Sequence, residues 1–555
     1  MTATRQAAAP TGRKKIAQGK KRSDAALGNP PQNTSSPDGA TQESAKSLLK
    51  ILLANREAGF RGRGKYRPPT APDLGGLPDP PAGWIWASPE QLAHAAPYSL
   101  GIGPFGSNLK VSDYRESGTP LIFVRNIRAE DFNLVAKFVA KKKANELAAH
   151  TAEGGDILIT KMGEPPGDAA FYPVGAPKAV ITADCIKWRL AEDLRVPKFF
   201  VYAIRSRLVQ QQIQNRTRGV AQKKISLERF RDLAIPLPPL PEQRRIVAEI
   251  EKQFTRLEAG VAALRRVQAN LKRYRAAVLK SACEGRLVEN EVRIKSAEGG
   301  SAETGEQLLE RILTERRQNW LARRSLGVGG QGRGQYKEPT APKTTDLPRL
   351  PEGWTWTTLD ALAEIKGGIA KDQNRKHTAP ARLVPYLRVA NVQRGYIDLS
   401  EVKEIVTTED DIRELALKSG DILFNEGGDR DKLGRGWVWN GELPECIHQN
   451  HVFRARLYVA GLNPKLVSWY ANTFGQKFFF DQGKHTTNLA SISMSKLKGL
   501  PVPIPPPAEQ TRIVAEVERR LSVVEELESV VTANLQRASS LRQSILKKAF
   551  TGELV

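Results

Sequence analysis

Near its middle the chain reads Pro241-Glu242-Gln243-Arg244-Arg245-Ile246-Val247-Ala248-Glu249-Ile250-Glu251, and near its end Ala508-Glu509-Gln510-Thr511-Arg512-Ile513-Val514-Ala515-Glu516-Val517-Glu518. An isoleucine- and proline-rich run precedes each, Ile235 to Pro239 and Ile504 to Pro507. The two stretches stand 267 residues apart (509 − 242 = 267). A repeat that long is a duplicated domain and not a solenoid unit. Working outward, Tyr66 pairs with Tyr336, Gly83-Trp84-Ile85-Trp86 with Gly353-Trp354-Thr355-Trp356, and Gly155-Asp156-Ile157-Leu158 with Gly420-Asp421-Ile422-Leu423. Gly285-Arg286-Leu287-Val288 pairs with Gly552-Glu553-Leu554-Val555. Between these anchors the halves look unrelated, as expected of one scaffold that presents two different surfaces.

Each Glu-Gln stretch opens a long helix. In the first, apolar residues recur every three or four positions at Ile246, Ile250, Phe254, Leu257, Val261, Leu264, Val267, Leu271, Tyr274 and Val278. The second carries Ile513, Val517, Leu521, Val524, Val531, Ala538, Leu541 and Ile545. That spacing is a coiled-coil seam. Pro241 suits a first turn, and Gly285 and Gly552 suit the stops. Two matched stripes pack on each other as an antiparallel bar. Helices of about 40 residues give a rod near 60 Å, longer than one DNA turn.

With 555 residues the chain exceeds one core. Lys and Arg number 85 against 60 Asp and Glu, a net charge of +25 that favours a polyanionic partner, most often nucleic acid. Cys185, Cys283 and Cys446 lie far apart with no CxxC pair, which argues against a disulfide framework or zinc site and fits a reducing cytoplasm. No run of about 18 apolar residues suggests a membrane span, and no secretory signal is expected.

Residues 1–41 read as a disordered basic tail. A helix and connector over 42–81 precede an α/β globule at 82–238. A long helix over 239–290 and a linker over 291–303 lead to the repeated helix and connector at 304–351. A second α/β globule follows at 352–506, then the C-terminal long helix at 507–555. Strands are expected at Leu121–Val124, Ile157–Ile159, Ala179–Ile181, Tyr386–Val389, Ile422–Phe424 and Trp437–Trp439, and helices over Lys198–Gln211 and Pro464–Phe480.

Few motifs carry chemistry. Gly101 to Gly106 and Gly327 to Gly332 fit GxGxxG, but neither follows an apolar strand, so both read as loops. Asn29-Pro30-Pro31-Gln32 resembles the adenine-methyltransferase tetrapeptide but lacks the aromatic fourth residue that stacks on a flipped base. No Walker motif appears, and no pair among the six histidines has metal-ligand spacing. What remains is polar and loop-borne. Lys161 to Asp168 follows one strand; Asn425 to Arg435, with Asp429, Arg430, Lys432 and Arg435, follows its counterpart. Such loops can read base edges, and they also fit ordinary solvated turns. Arg216, Arg218, Lys223 and Lys224, matched loosely by Lys484, His485 and Lys496, are candidate phosphate contacts.

The repeated Ile/Pro-rich run, the Glu-Gln-x-x-Ile-Val helices, the Gly-x-Leu-Val stops and the loops at 155–168 and 428–436 together resemble the specificity (S) subunit of type I restriction–modification systems. The resemblance implies two tandem α/β (α+β) target-recognition domains in an internal two-fold pseudo-repeat, separated by long helices that form an antiparallel coiled coil. Each domain reads half of a bipartite, asymmetric site on double-stranded DNA. The helices act as a spacer and dock two methylation (M) subunits, with Ile246, Ile250, Leu257, Leu264, Ile513, Val517, Val524 and Ile545 as candidate contacts; restriction (R) subunits join the complex. The chain itself is non-catalytic: S-adenosylmethionine, ATP and Mg²⁺ belong to the partners, in a prokaryotic cytoplasm. The competing readings are a fused DNA methyltransferase or endonuclease, and a non-specific DNA-binding coiled-coil adaptor.

Overall fold

The computed structural model describes residues 44–60, 65–134, 136–194, 196–218, 223–325, 335–370, 380–428, 433–485 and 490–555. The tail at 1–41, with its Asn29-Pro30-Pro31-Gln32, and the glycines at 327–332 lie outside the described residues. The chain packs as two units. One holds the chain up to Arg205 and Val209–Arg245; the other holds Ser206–Leu208 and Ile246–Val555.

In the first unit a helix runs from Ala45 to Ala58, opened by Ser44, whose side chain accepts the Ser47 N–H at 3.1 Å. The Trp-Ile-Trp segment becomes a strand, Ile85–Ala87, antiparallel to Ile235–Leu237 with Trp86 opposite Pro236. The first and last apolar runs of the domain thus close on each other. Between them four antiparallel strands lie in the order Leu100–Ile102, Cys185–Trp188, Ile157–Thr160, Ala169–Phe171. A second sheet contains a parallel pairing, Leu121 to Val180 and Ile122 to Ile181. Trp188, Phe199, Phe200 and Phe230 are fully buried, and Trp188 packs edge-on against Phe200 and Phe230. Buried edge-on pairs add about 1 kcal/mol each beyond their area.

The second unit repeats this plan. Thr355–Thr358 pairs with Pro501–Ile504, Trp356 opposite Pro503. Its four-stranded sheet has the order Ala363–Lys366, Val452–Leu457, Ile422–Asn425, Gly436–Val438. Its parallel pairing sets Tyr386 and Leu387 beside Ile447 and His448. The middles that look unrelated as sequence therefore share the order of the four-stranded sheet and the parallel pairing, while the second adds a small sheet of Gly427–Gly428, Ala490–Ser491 and Lys484–His485. Alternating and continuous apolar runs of different composition fill the same strand positions, because burial specifies apolarity and not identity.

The Glu-Gln motif owes its glutamine to this closure. Gln243 Nε2 donates to the Pro238 carbonyl and Gln510 Nε2 to the Pro505 carbonyl, each at 2.9 Å, and both side chains are buried. Each glutamine satisfies a carbonyl one residue beyond the last paired position of its strand, Leu237 or Ile504.

The long helices, Leu240–Cys283 and Pro507–Phe550, are 44 residues each, about 66 Å at the α-helical rise. Within the second unit they pack antiparallel: Arg275 meets Glu528 at 3.3 Å, while the earlier Glu258 meets the later Arg542 at 3.5 Å. Leu264, Leu271, Val524, Val531 and Leu535 form the seam. The central helix stops before Gly285, whose φ of +64° and close approach to Pro351 and the Trp354 ring leave no room for a Cβ.

Local expectations shift in three places. The strand at Thr119–Ile122 gives way to a helix at Val124, because Asn126 accepts the Phe123 N–H at 2.9 Å and its amide reaches the Asp131 and Leu134 carbonyls. The two single helices each break in two, into Pro197–Arg205 with Arg207–Asn215 and Pro464–Thr473 with Gly475–Gln482. At the first break Gln210 Nε2 takes up the Ile204 carbonyl at 2.8 Å. Gly101 and Ile102 end a strand instead of lying in a loop.

Candidate nucleic-acid interface

In the first unit the strand Ile157–Thr160 delivers the chain into the loop at 161–168. Thr160 Oγ1 is buried and accepts the Gly167 and Asp168 N–H groups at 3.0 and 2.9 Å, folding the loop back on the strand end. A second loop closes onto it. Ile225 N–H donates to the Lys161 carbonyl at 3.0 Å, Gly163 N–H to Lys223 O at 3.2 Å, and Arg218 and Lys224 exchange backbone hydrogen bonds. Lys161, Arg218, Lys223 and Lys224 are therefore brought to one edge. Lys223 faces Glu164 at 3.5 Å; Arg218 and Lys224 have no carboxylate partner among the described residues. A groove of about 350 Å³ between the loops is lined by Glu164, Pro165, Pro166, Gln214, Thr217 and Lys223.

Lys161 is the best-positioned of these cations. Its Nζ donates to the Ala183 carbonyl at 3.1 Å and lies 5.0 Å above the ring of Phe105, which is 61% exposed. Burial pulls its pKa below the usual lysine range, partly offset by Asp184. An exposed aromatic beside a cluster of cations is the composition that binds nucleic-acid surfaces.

The second unit builds the same edge with other side chains. Asn425 takes the place of Thr160; it is buried, and its amide nitrogen donates to the Val389 and Val392 carbonyls. Glu426 N–H donates to His451 O at 2.9 Å and Ile492 N–H to Glu426 O at 2.8 Å. Gly427 and Gly428 pair with Ser491 and Ala490, which in turn pair with the backbone of Lys484 and His485. Arg435 reaches inward to the Val389 carbonyl at 3.2 Å. Asp429, Arg430 and Lys432 lie outside the described residues, as do the side chains of Lys484 and His485. Lys496 bonds Gln482.

Two sets of candidates stand elsewhere. Arg216 is held by Asp73 at 2.9 Å and by Asp232, a latch across the domain base that occupies its donors. Ile246, Ile250, Ile513, Val517, Val524 and Ile545 are buried, Leu264 packs in the seam, and Leu257 is half-buried. Side chains consumed inside the fold leave little to offer another subunit. The exposed large apolar residues of the two long helices are instead Val267, Tyr274, Val523, Leu527, Val530 and Leu541, each 40–50% exposed. At 100° per residue the latter four lie on one flank of Val524 and Val531, and Val267 and Tyr274 on one flank of Leu271. In an antiparallel pair these flanks share a face, with Arg519 and Arg520 near Tyr274 across the bar. The period-three-to-four count cannot separate a seam from its flank, so the sequence does not mark this face; it places Glu426 in the loop after Phe424 without singling it out, and only the strand register aligns Phe105, Asp184 and His451 with these loops.

Residues 109–263 match the family model for the type I restriction modification DNA specificity domain. Over those residues the chain is similar to a type I specificity domain. Its relatives agree: it is 24% identical over 369 residues to the type I restriction enzyme EcoKI specificity subunit of Escherichia coli (strain K12), covering 65% of this chain and 67% of that one. It is 25% identical over 385 residues to the EcoBI specificity subunit of Escherichia coli, covering 68% and 69%. A solved structure concerned with complex assembly and conformational transition of the type I R-M system shares the fold, with a TM-score of 0.53 and 20% identity over 86% of this chain and 99% of that one. The similarity is thus to specificity subunits of type I restriction enzymes. No group of three or more potential metal ligands occurs among the described residues, and no helix among them is long and apolar enough to cross a membrane.

Proposed function

We propose that this type I specificity chain reads a split, asymmetric DNA site, one half with each recognition domain, and docks methylation subunits on its helical bar. The observation that carries this reading is a duplicated scaffold with unlike loop edges: Phe105, Lys161, Arg218 and Lys224 on one copy, Glu426, His451 and the Gly427–Gly428 strand on the other. Identical scaffolds dock alike; unlike side chains at the docked edge read unlike bases. The net charge of +25 supplies sequence-independent attraction to the backbone.

The face of Val267, Tyr274, Val523, Leu527, Val530 and Leu541 is the methylation-subunit dock, since an apolar stripe on two helices accepts the apolar stripe of a third. Restriction subunits join through that assembly. S-adenosylmethionine, ATP and Mg²⁺ act in the partners, and the assembly works in the cytoplasm.

Selection of the full chain on randomised duplexes, with competition at several salt concentrations, tests the reading. A two-part motif with unlike halves is expected; a symmetric motif, or binding with no specificity ratio, overturns it. Methyl transfer by the purified chain alone would instead establish the fused-enzyme reading.

A further inference from the structure

The two recognition domains hold a charge-exchanged pair at equivalent backbone positions. In the first, Lys161 N–H donates to Asp184 O at 2.7 Å and Lys161 O accepts from Ile225 N–H at 3.0 Å. In the second, Glu426 N–H donates to His451 O at 2.9 Å and Glu426 O accepts from Ile492 N–H at 2.8 Å. The backbone frame is the same, and the side chains reverse: a lysine whose Nζ donates to the Ala183 carbonyl at 3.1 Å, next in the chain to Asp184, against a carboxylate bonded to His451 Nδ1 at 2.5 Å. Nearby, Gly103 and Gly368 press on the Thr182 and His448 carbonyls with no space for a Cβ, so the neighbouring loops enter each edge alike. Two positions beyond those glycines the domains carry Phe105 and Ala370.

A carboxylate on an edge that meets DNA gains nothing from phosphate, which repels it. Its favourable partners there are base amino groups, cytosine N4 or adenine N6, whereas a lysine at the same place suits guanine O6 and N7. We propose that positions 161 and 426, each with its side-chain neighbour 184 or 451, are the equivalent base-reading positions of the two domains, and that their opposite hydrogen-bond polarity makes the two half-sites differ there. This inference rests on the DNA reading above. Glu426 is a specificity residue in this account, not a scaffold residue: its side chain is 29% exposed and His451 is 56% exposed, so both reach the surface.

The test is duplex selection with the full chain and its Glu426→Gln and Lys161→Gln variants. Glu426→Gln is expected to relax preference about tenfold at one base pair of one half-site, leaving the other half-site unchanged as an internal control of folding. Lys161→Gln is expected to do the same in the other half-site only. If Glu426→Gln tightens binding equally on all sequences with an unchanged motif, Glu426 is a bystander charge and the inference fails while the DNA reading stands. If the unmodified chain selects no motif, the DNA reading falls and this inference with it.

Discussion

Arg189 grips Asp156 through Nε and Nη2 at 2.8 and 3.1 Å, and 265 to 267 residues later Arg456 grips Asp421 through the same two nitrogens at 2.7 Å each. Each aspartate is buried and also caps its own turn, accepting the Glu153 or Lys418 N–H. The motif Gly-Asp-Ile-Leu is therefore a clasp between two strands of each four-stranded sheet. Asp421→Asn is expected to destabilise its domain by about 3 kcal/mol, since it removes the carboxylate partner of a partly buried guanidinium, and Asp156→Asn by less, since Arg189 keeps Glu153 at 3.1 Å. Chemical unfolding followed with Arg189 and Arg456 double-mutant cycles measures the coupling; additive effects would refute the clasp.

The two glutamines of the repeat differ in one bond. Gln510 also accepts the Asn463 N–H at 3.0 Å, whereas Gln243 Oε1 is buried without a partner among the described residues. Gln510→Ala should cost about 2 kcal/mol and Gln243→Ala less, because the former strands two buried backbone groups and the latter one. Unfolding midpoints of the pair decide it.

His448 is fully buried, and burial chiefly, opposed by its bond to the Val452 carbonyl and reinforced by the charge of Arg454, holds its pKa at about 4. A histidine depressed in the folded state from an ordinary value near 6.5 binds protons preferentially when unfolded. Its contribution is present above pH 6.5 and is lost as pH falls toward 4, about 3 kcal/mol in all. Stability measured between pH 4 and 7 should rise with pH, and His448→Gln should flatten the slope.

Among the cations, Arg218 and Lys224 are expected to touch phosphate and Arg216 is not. Alanine at either of the first two should reduce the slope of log binding constant against log salt by about 1. Arg216→Ala should leave the slope unchanged and lower the unfolding midpoint, because its guanidinium bridges Asp73 and Asp232.

Charge insertion distinguishes the proposed dock from the seam. Val523→Glu with Leu527→Glu, at 49% and 44% exposure, should abolish co-purification with a methylation subunit at an unchanged unfolding midpoint. Val524→Glu, at 1% exposure, should instead unfold the bar.

Sequence by itself determined the duplication, the two long helices and their stops, and the anchors that frame each domain. Those features depend on local chemistry: Gly285 needs a positive φ, a proline-rich run needs a clasping glutamine, and a seam needs a period. The tertiary structure alone decided what the divergent middles share and where their differences matter. Strand pairing aligned Lys161 with Glu426 and Asp184 with His451, because register is set across strands and not along the chain. It also showed Arg216 held as a latch between Asp73 and Asp232, and Val524 buried in the seam with Val523 and Leu527 exposed on its flank, since only packing shows which side of a helix is already taken.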